Sequence, residues 1–334
     1  MANSNMSPSQ TIPDPHSKLK QTWVAQLLLL PILVLAAYAG VRDHYFVWDT
    51  LPFVLENPWI HEWSWSNAVS ILTEAHRANW HPLVLFSHAI DLSLFGENSG
   101  AHHLMNMLYH TINTCLIYLL IYRLIRLLPR EKMVDATQAL WIAWITVIIF
   151  AIHPQHFESV AWVVERKDVL YTLLTLLIDI YPLKRIASVK QFVIGCAAKA
   201  PYWLVSGAVI LITLAPVSGL IHVGPAKGTD HYGYLATLPF SLATALAIVY
   251  AWKYSKILQV PAATLTVVYL SFLLMTTQLQ VSYWHNPLTL WTRVVTLHPD
   301  SAFGHRNLAA AYLQIDEPQL ALQHAEKSLQ ALSK

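Results

Sequence analysis

The sequence predicts an all-α membrane protein, a bundle of transmembrane helices followed by a short helical repeat segment. Of its 334 residues 55% are hydrophobic and only 12% are charged, about half the roughly 25% charge of an average soluble domain. Apolar runs close to the length that crosses a bilayer recur along the chain. The net charge of +2 is small and its basic residues are scattered, so no nucleic-acid partner is expected.

Seven apolar runs are predicted spans, and the polar residues 1–22 before them are a predicted cytoplasmic tail. The first run follows Lys18 and Lys20, and we interpret it as a retained signal anchor. The fourth run is short and would need a thinned bilayer or a tilted neighbour. The runs cover residues 23–40, 104–125, 139–152, 169–181, 202–221, 234–252 and 257–279.

The distribution of charge predicts which face of the membrane is functional. With a cytoplasmic N-terminus, the inner segments hold twelve of the 21 basic residues and the outer loops hold five, as the positive-inside rule requires. The first outer loop, residues 42–103, holds seven of the 19 acidic residues and seven of the 17 histidines. We therefore expect function at the outer face, and we predict a bacterial inner membrane with outer loops and C-terminus in the periplasm.

The residues after the last span, 282–334, predict a tetratricopeptide-repeat segment. Leu308, Ala309, Tyr312 and Ala321 occupy positions 7, 8, 11 and 20 of one repeat, and Trp291 lies in a preceding half-repeat. A repeat array needs about three repeats to bury a continuous core. This segment must therefore pack against the membrane domain, residues 23–281, against a partner, or against further sequence.

Short polar motifs follow one another along the predicted outer loops. They are Phe-Val-Trp-Asp at 46–49, Asn-Trp-His-Pro-Leu at 79–83, Ser-His at 87–88, His-His at 102–103, His-Pro at 153–154, Glu-Ser-Val-Ala-Trp at 158–162, Glu-Arg-Lys-Asp at 165–168 and Asp-His-Tyr at 230–232. In this order they resemble the transmembrane and tetratricopeptide-repeat proteins, protein O-mannosyltransferase-like members of the C-type glycosyltransferase superfamily.

The chain departs from that family at two points. Thr50 follows Asp49 where the family usually has a second acidic residue. The chain is also shortened internally relative to that family. Residues 173–185 and 192–214 each join one apolar span to a span that comes much later in the family's order. These departures keep a second hypothesis open, a non-catalytic membrane-anchored protein whose repeat segment binds partners.

The resemblance implies transfer of a sugar, mannose in this family, from a polyprenyl-phosphate donor to a hydroxyl of a protein, with no cofactor. Asp49 is the predicted general base; the alternatives are pairing with Arg42 or capping of a short helix. Arg166 and Lys167 are predicted to bind the lipid phosphate, although charges at the end of a span are ordinarily solvated. Further predicted substrate contacts are His81, His102, His103, His153, Glu158, Asp230 and Tyr232.

No metal site is predicted. One group of histidines with a glutamate offers metal-ligand side chains, but it lacks the His-Glu-x-x-His spacing of many zinc sites, so hydrogen bonding to substrate or contacts between helices are expected instead. A histidine-lined metal transporter is the last-ranked hypothesis. Cys115 and Cys196 lie in apolar runs and are predicted packing residues. The group of histidines with the glutamate comprises His102, His103, His110, His153, His156 and Glu158.

Overall fold

The computed structural model describes residues 15–77, 79–127, 134–180 and 233–333. Within these ranges the chain is helical and contains no strand, apart from one isolated bridge between His76 and Asn79. The predicted all-α fold is therefore confirmed. The α-helices are α1 Pro15–Tyr38, α2 Pro58–His61, α3 Trp65–Thr73, α4 Pro82–Phe95, α5 Ser99–Leu127, α6 Ala136–Ala151, α7 Phe157–Ala161, α8 Arg166–Ile180, α9 Thr237–Tyr254, α10 Lys256–Tyr283, α11 Pro287–Leu297, α12 Ala302–Gln314 and α13 Pro318–Leu332.

Within the described residues, three helical segments are long and apolar enough to cross a bilayer: Leu19–Asp43, Ser99–Arg126 and Lys256–Tyr283. A fourth candidate is the pair Ala136–Ala151 and Pro154–Ala161, which bends by 54° at the break between its two helices. These four segments contain the predicted first, second, third and seventh spans. The protein is therefore a membrane protein, as its composition predicted.

The other predicted spans are represented differently. The fourth and sixth predicted spans fall on α8 and α9. These helices have 15 and 18 residues and are not long and apolar enough to cross a bilayer on their own. The predicted fifth span, residues 202–221, lies outside the described residues, as does Cys196.

Helix α5 lies at the centre of the membrane domain and packs against α1, α6 and α8. Its buried Ile117 and Tyr118 join Leu30 of α1 with Leu140 and Phe150 of α6 in one apolar cluster. The Tyr118 hydroxyl donates a hydrogen bond of 2.6 Å to the Gln26 side-chain oxygen, which satisfies both oxygens inside the bundle.

The predicted outer loop is itself folded. After the span that ends at Asp43, helices α2, α3 and α4 pack around a small apolar core built from Val54, Ile60, Ile71 and Leu85, which Val163 joins from the loop before α8. The side chains of Asn57 and Ser64 cap α2 and α3 by accepting hydrogen bonds from backbone N–H groups. The loop is thus held rigidly enough to position side chains.

The C-terminal segment leans on the membrane domain, one of the three supports expected for it. Trp291 and Leu308 are buried in the same cluster as Tyr38 and Trp162. Helices α12 and α13 pack on each other, and α11 packs on α12, where a Cβ at Gly304 would lie 2.9 Å from Val294. The assignment of this helical hairpin as a tetratricopeptide repeat stays a prediction.

Candidate functional site

Asp49 lies in the short connection between the first span and the helical turn Leu51–Leu55. Its carboxylate Oδ1 accepts a hydrogen bond of 3.0 Å from the indole Nε1 of Trp162. Trp162 in turn stacks on Trp48 with ring centroids 4.5 Å apart and planes 12° apart. Trp162, 113 residues further along the chain, therefore orients the carboxylate through Oδ1 and does not bond to Oδ2.

The backbone of Trp48 is held in an uncommon conformation. Its φ of 55° lies in the left-handed region, which costs a residue with a Cβ roughly 1–2 kcal/mol. The stacking on Trp162 and the edge contacts with Trp291 and Phe303, at 5.5 and 5.7 Å, hold the ring in place. Backbone strain of this kind is enriched at functional sites, and here it adjoins Asp49 directly.

Burial raises the pKa of Asp49 to about 6. Three interactions oppose this effect and favour the charged form: the hydrogen bond from Trp162, the backbone hydrogen bond of Asp49 itself and the positive charges of Lys167 and Arg77. A carboxylate with a pKa near 6 is mostly ionised at neutral pH, yet it binds a proton more tightly than an ordinary aspartate. Both properties suit a general base.

Asp49 faces a cavity of about 90 Å³ at the inner side of the folded outer loop. Lys167 lies in the same wall, where it pairs with Glu165 and lies 3.9 Å from Asp168. Burial lowers the pKa of Lys167, while nearby carboxylates, including Asp49, oppose that shift. The cavity is lined by Asp49, Phe53, His76, Asn79, His81, Val84, Leu85, His88, Val164, Glu165 and Lys167.

Arg166 was predicted to contact a lipid phosphate, but the structure places it inside the protein. Its side chain is fully buried, and Nη2 lies 2.6 Å from Asp91 Oδ2. Nε donates to Asn106 Oδ1 at 2.7 Å, and Nη1 donates to Ser87 Oγ at 3.3 Å. The guanidinium therefore joins α4, α5 and α8 beneath the cavity, and Lys167 is the cation that faces the cavity.

The remaining predicted contacts divide into three groups. His81 is exposed and lines the cavity with Asp49 and Lys167. His102 and His103 are buried and bond to the backbone oxygens of Gly96 and Tyr45, at 2.9 and 3.3 Å. The structure does not bring the others to the cavity wall: His153 and Glu158 are partly buried elsewhere, and Asp230 and Tyr232 lie outside the described residues.

Sequence reasoning gave no role to Trp162 or Asn106, although Trp162 ends the motif at 158–162 and Asn106 follows the His-His motif at 102–103. Trp162 contacts Asp49 across 113 residues, and Asn106 contacts Arg166 across 60. Neither spacing has a recognisable local signature. The only available signal was their place beside charged motifs.

Parts of the chain are similar in sequence to proteins named protein O-mannosyl-transferases. A protein O-mannosyl-transferase of Caenorhabditis elegans is 25% identical over 172 residues, covering 48% of this chain and 23% of that protein. The protein O-mannosyl-transferase TMTC1 of Mus musculus is 34% identical over 99 residues, covering 30% of this chain and 9% of that protein. Its Homo sapiens counterpart is 33% identical over 99 residues, covering 30% and 10%.

The chain thus spans less than a quarter of the length of each of these relatives. No family model matches the chain, and no solved structure matches it. These partial likenesses support a relationship to the protein O-mannosyl-transferases, in agreement with the motifs.

Proposed function

We propose that the chain is a membrane glycosyltransferase that moves a sugar, mannose, from a polyprenyl-phosphate donor to a hydroxyl group of a protein. The observation that carries the proposal is that Asp49, with a pKa of about 6, and Lys167 line the same cavity. The names of the partial relatives support the same class of reaction.

In the proposed reaction the acceptor hydroxyl attacks the anomeric carbon of the sugar. A bond forms between the hydroxyl oxygen and that carbon, and the bond from the carbon to the phosphate oxygen breaks with its electron pair. Asp49 Oδ2 takes the hydroxyl proton while Trp162 holds Oδ1. Lys167 stabilises the negative charge on the departing phosphate.

The proposed location of this chemistry is the outer membrane face. The bias of basic residues toward the inner segments supports it, as does the folded outer loop that builds the cavity. The proposed membrane is a bacterial inner membrane, with this face periplasmic. In this proposal the C-terminal helical hairpin presents the acceptor protein, because α11 and α12 contact Trp48 next to Asp49.

The test is transfer of radiolabelled mannose from polyprenyl-phosphate mannose to an acceptor protein by the full chain in proteoliposomes. The proposal expects transfer by the wild type and by Asp43→Asn, whose carboxylate is 64% exposed. It expects transfer to fall roughly 100-fold or more in Asp49→Asn. Correctly inserted wild type that transfers no sugar, beside a full-length relative that does, would overturn the proposal and favour a non-catalytic interaction protein.

A further inference from the structure

A cluster of three buried polar side chains lies behind the cavity. His88 and Asp91 are one turn apart on α4, and His102 faces them from α5. One ring nitrogen of each histidine and one oxygen of Asp91 lie within 4.8 Å of one another. The three residues are 2%, 1% and 0% exposed, so bulk water does not solvate these atoms.

The polar atoms of the cluster are incompletely satisfied. Both ring nitrogens of His88 lack a hydrogen-bond partner among the described residues, as does Asp91 Oδ1. Such a buried atom loses its hydrogen bonds to water without a replacement, which destabilises the fold. No contact in the described part of the chain therefore explains why His88 is buried. His88 also lines the cavity wall.

The tautomer of His102 adds an unfavourable contact to the cluster. Its Nε2 lies 2.9 Å from the backbone oxygen of Gly96, and a carbonyl oxygen only accepts, so Nε2 carries the proton. In the neutral ring, Nδ1 then presents a lone pair, 3.8 Å from Asp91 Oδ2. A lone pair and a carboxylate repel each other across that distance unless a positive charge lies between them.

Arg166 lies close to this pair, but among the described residues it makes no hydrogen bond to a ring nitrogen of His88 or to Nδ1 of His102. It pairs with Asp91 Oδ2 and leaves Oδ1 for another ligand, and an outer partner of this kind orients a metal-binding carboxylate. The guanidinium charge weakens the site for a cation.

We propose that His88, Asp91 and His102 bind one divalent transition-metal ion of the zinc class. Two imidazole nitrogens and one carboxylate oxygen are a common ligand set for such ions, and three protein ligands leave further coordination positions open. Because His88 lines the cavity, the open positions face the space beside Lys167. The site goes beyond the proposed transfer reaction and is tested without any sugar donor.

The experiment titrates the purified, chelator-treated full chain in detergent with Co²⁺, followed by visible absorbance, and then with Zn²⁺ as competitor. Metal content after dialysis is measured by mass spectrometry. The variant is His88→Ala, and the matched control is His81→Gln, because His81 lines the same cavity but lies outside the cluster. We expect about one equivalent in wild type and control, and affinity roughly 100-fold lower in His88→Ala.

Absence of stoichiometric metal from the wild type would overturn the site and leave a proton shared by His102 and Asp91 as the bridging charge. Unchanged binding in His88→Ala would also overturn it. If His88→Ala does not fold, X-ray absorption of the Zn²⁺-loaded wild type decides. A first coordination shell with two imidazoles supports the site, and one without imidazole contradicts it.

Discussion

Replacement of Asp49 by asparagine is expected to stabilise the fold while it removes activity. The folded protein raises the pKa of this carboxyl from 3.8 to about 6, so ionising it costs more in the folded state than in the unfolded state. At 1.36 kcal/mol for each pKa unit, the cost is about 3 kcal/mol at pH 7 and above. Asparagine is isosteric, and its oxygen can still accept the hydrogen bond from Trp162.

The sign of the effect follows from the raised pKa. Well below the unfolded pKa of 3.8 both states of the wild type are protonated, so Asp49→Asn should change little there; the gain grows from about pH 4 to about pH 6 and then levels. The assay is thermal unfolding in detergent from about pH 4 to about pH 8, followed by tryptophan fluorescence. The exposed Asp43→Asn is the control. A loss of stability in Asp49→Asn at pH 8, or a shift independent of pH, would refute the reasoning.

Three further substitutions probe the contacts of this site. Trp162→Phe removes the hydrogen bond that favours the charged form of Asp49, so the acidic limb of the pH–rate profile should move up by about one unit. Lys167→Gln should raise KM for the phosphate donor by about 10-fold or more, since a charge-assisted contact is lost. Asp91→Asn should destabilise the protein by about 3–5 kcal/mol, because Arg166 stays buried without its partner.

Each of these outcomes has a result that contradicts it. If the acidic limb of the pH–rate profile does not move in Trp162→Phe, the indole of Trp162 does not influence the proton transfer. If neither kcat nor KM for the donor changes in Lys167→Gln, Lys167 does not contact the donor phosphate. For the ion pair, the double variant Asp91→Leu with Arg166→Met should be more stable than Asp91→Asn; an equal loss would show that the pair is not the cause.

The fold class followed from composition and from the apolar runs, because a bilayer imposes a length on each span. The sequence could not show that residues 42–103 form helices with their own core. The apolar side chains of that core, such as Val54, Ile71 and Leu85, come from different short helices and meet Val163, more than 70 residues further along the chain. No periodicity within a single helix reports contacts of that kind.

The candidate site was predictable in its residue types but not in their arrangement. Asp49 and Lys167 lie where an acid and a cation were expected, at the ends of apolar runs. Arg166 has the same local pattern as Lys167, and only its distant partners Asp91 and Asn106 show that it is buried. His88 and Asp91 share one face of α4, and that spacing was the available signal for a paired site.

The central claim is that Asp49 removes the proton from the acceptor hydroxyl. The most direct measurement is kcat/KM for sugar transfer by the wild type from about pH 5 to about pH 8, with Asp49→Asn assayed in parallel. The wild-type rate should rise through a single ionisation near pH 6 and then level, and transfer by the variant should be negligible. Transfer retained in Asp49→Asn, or a wild-type rate independent of pH over this range, would contradict it.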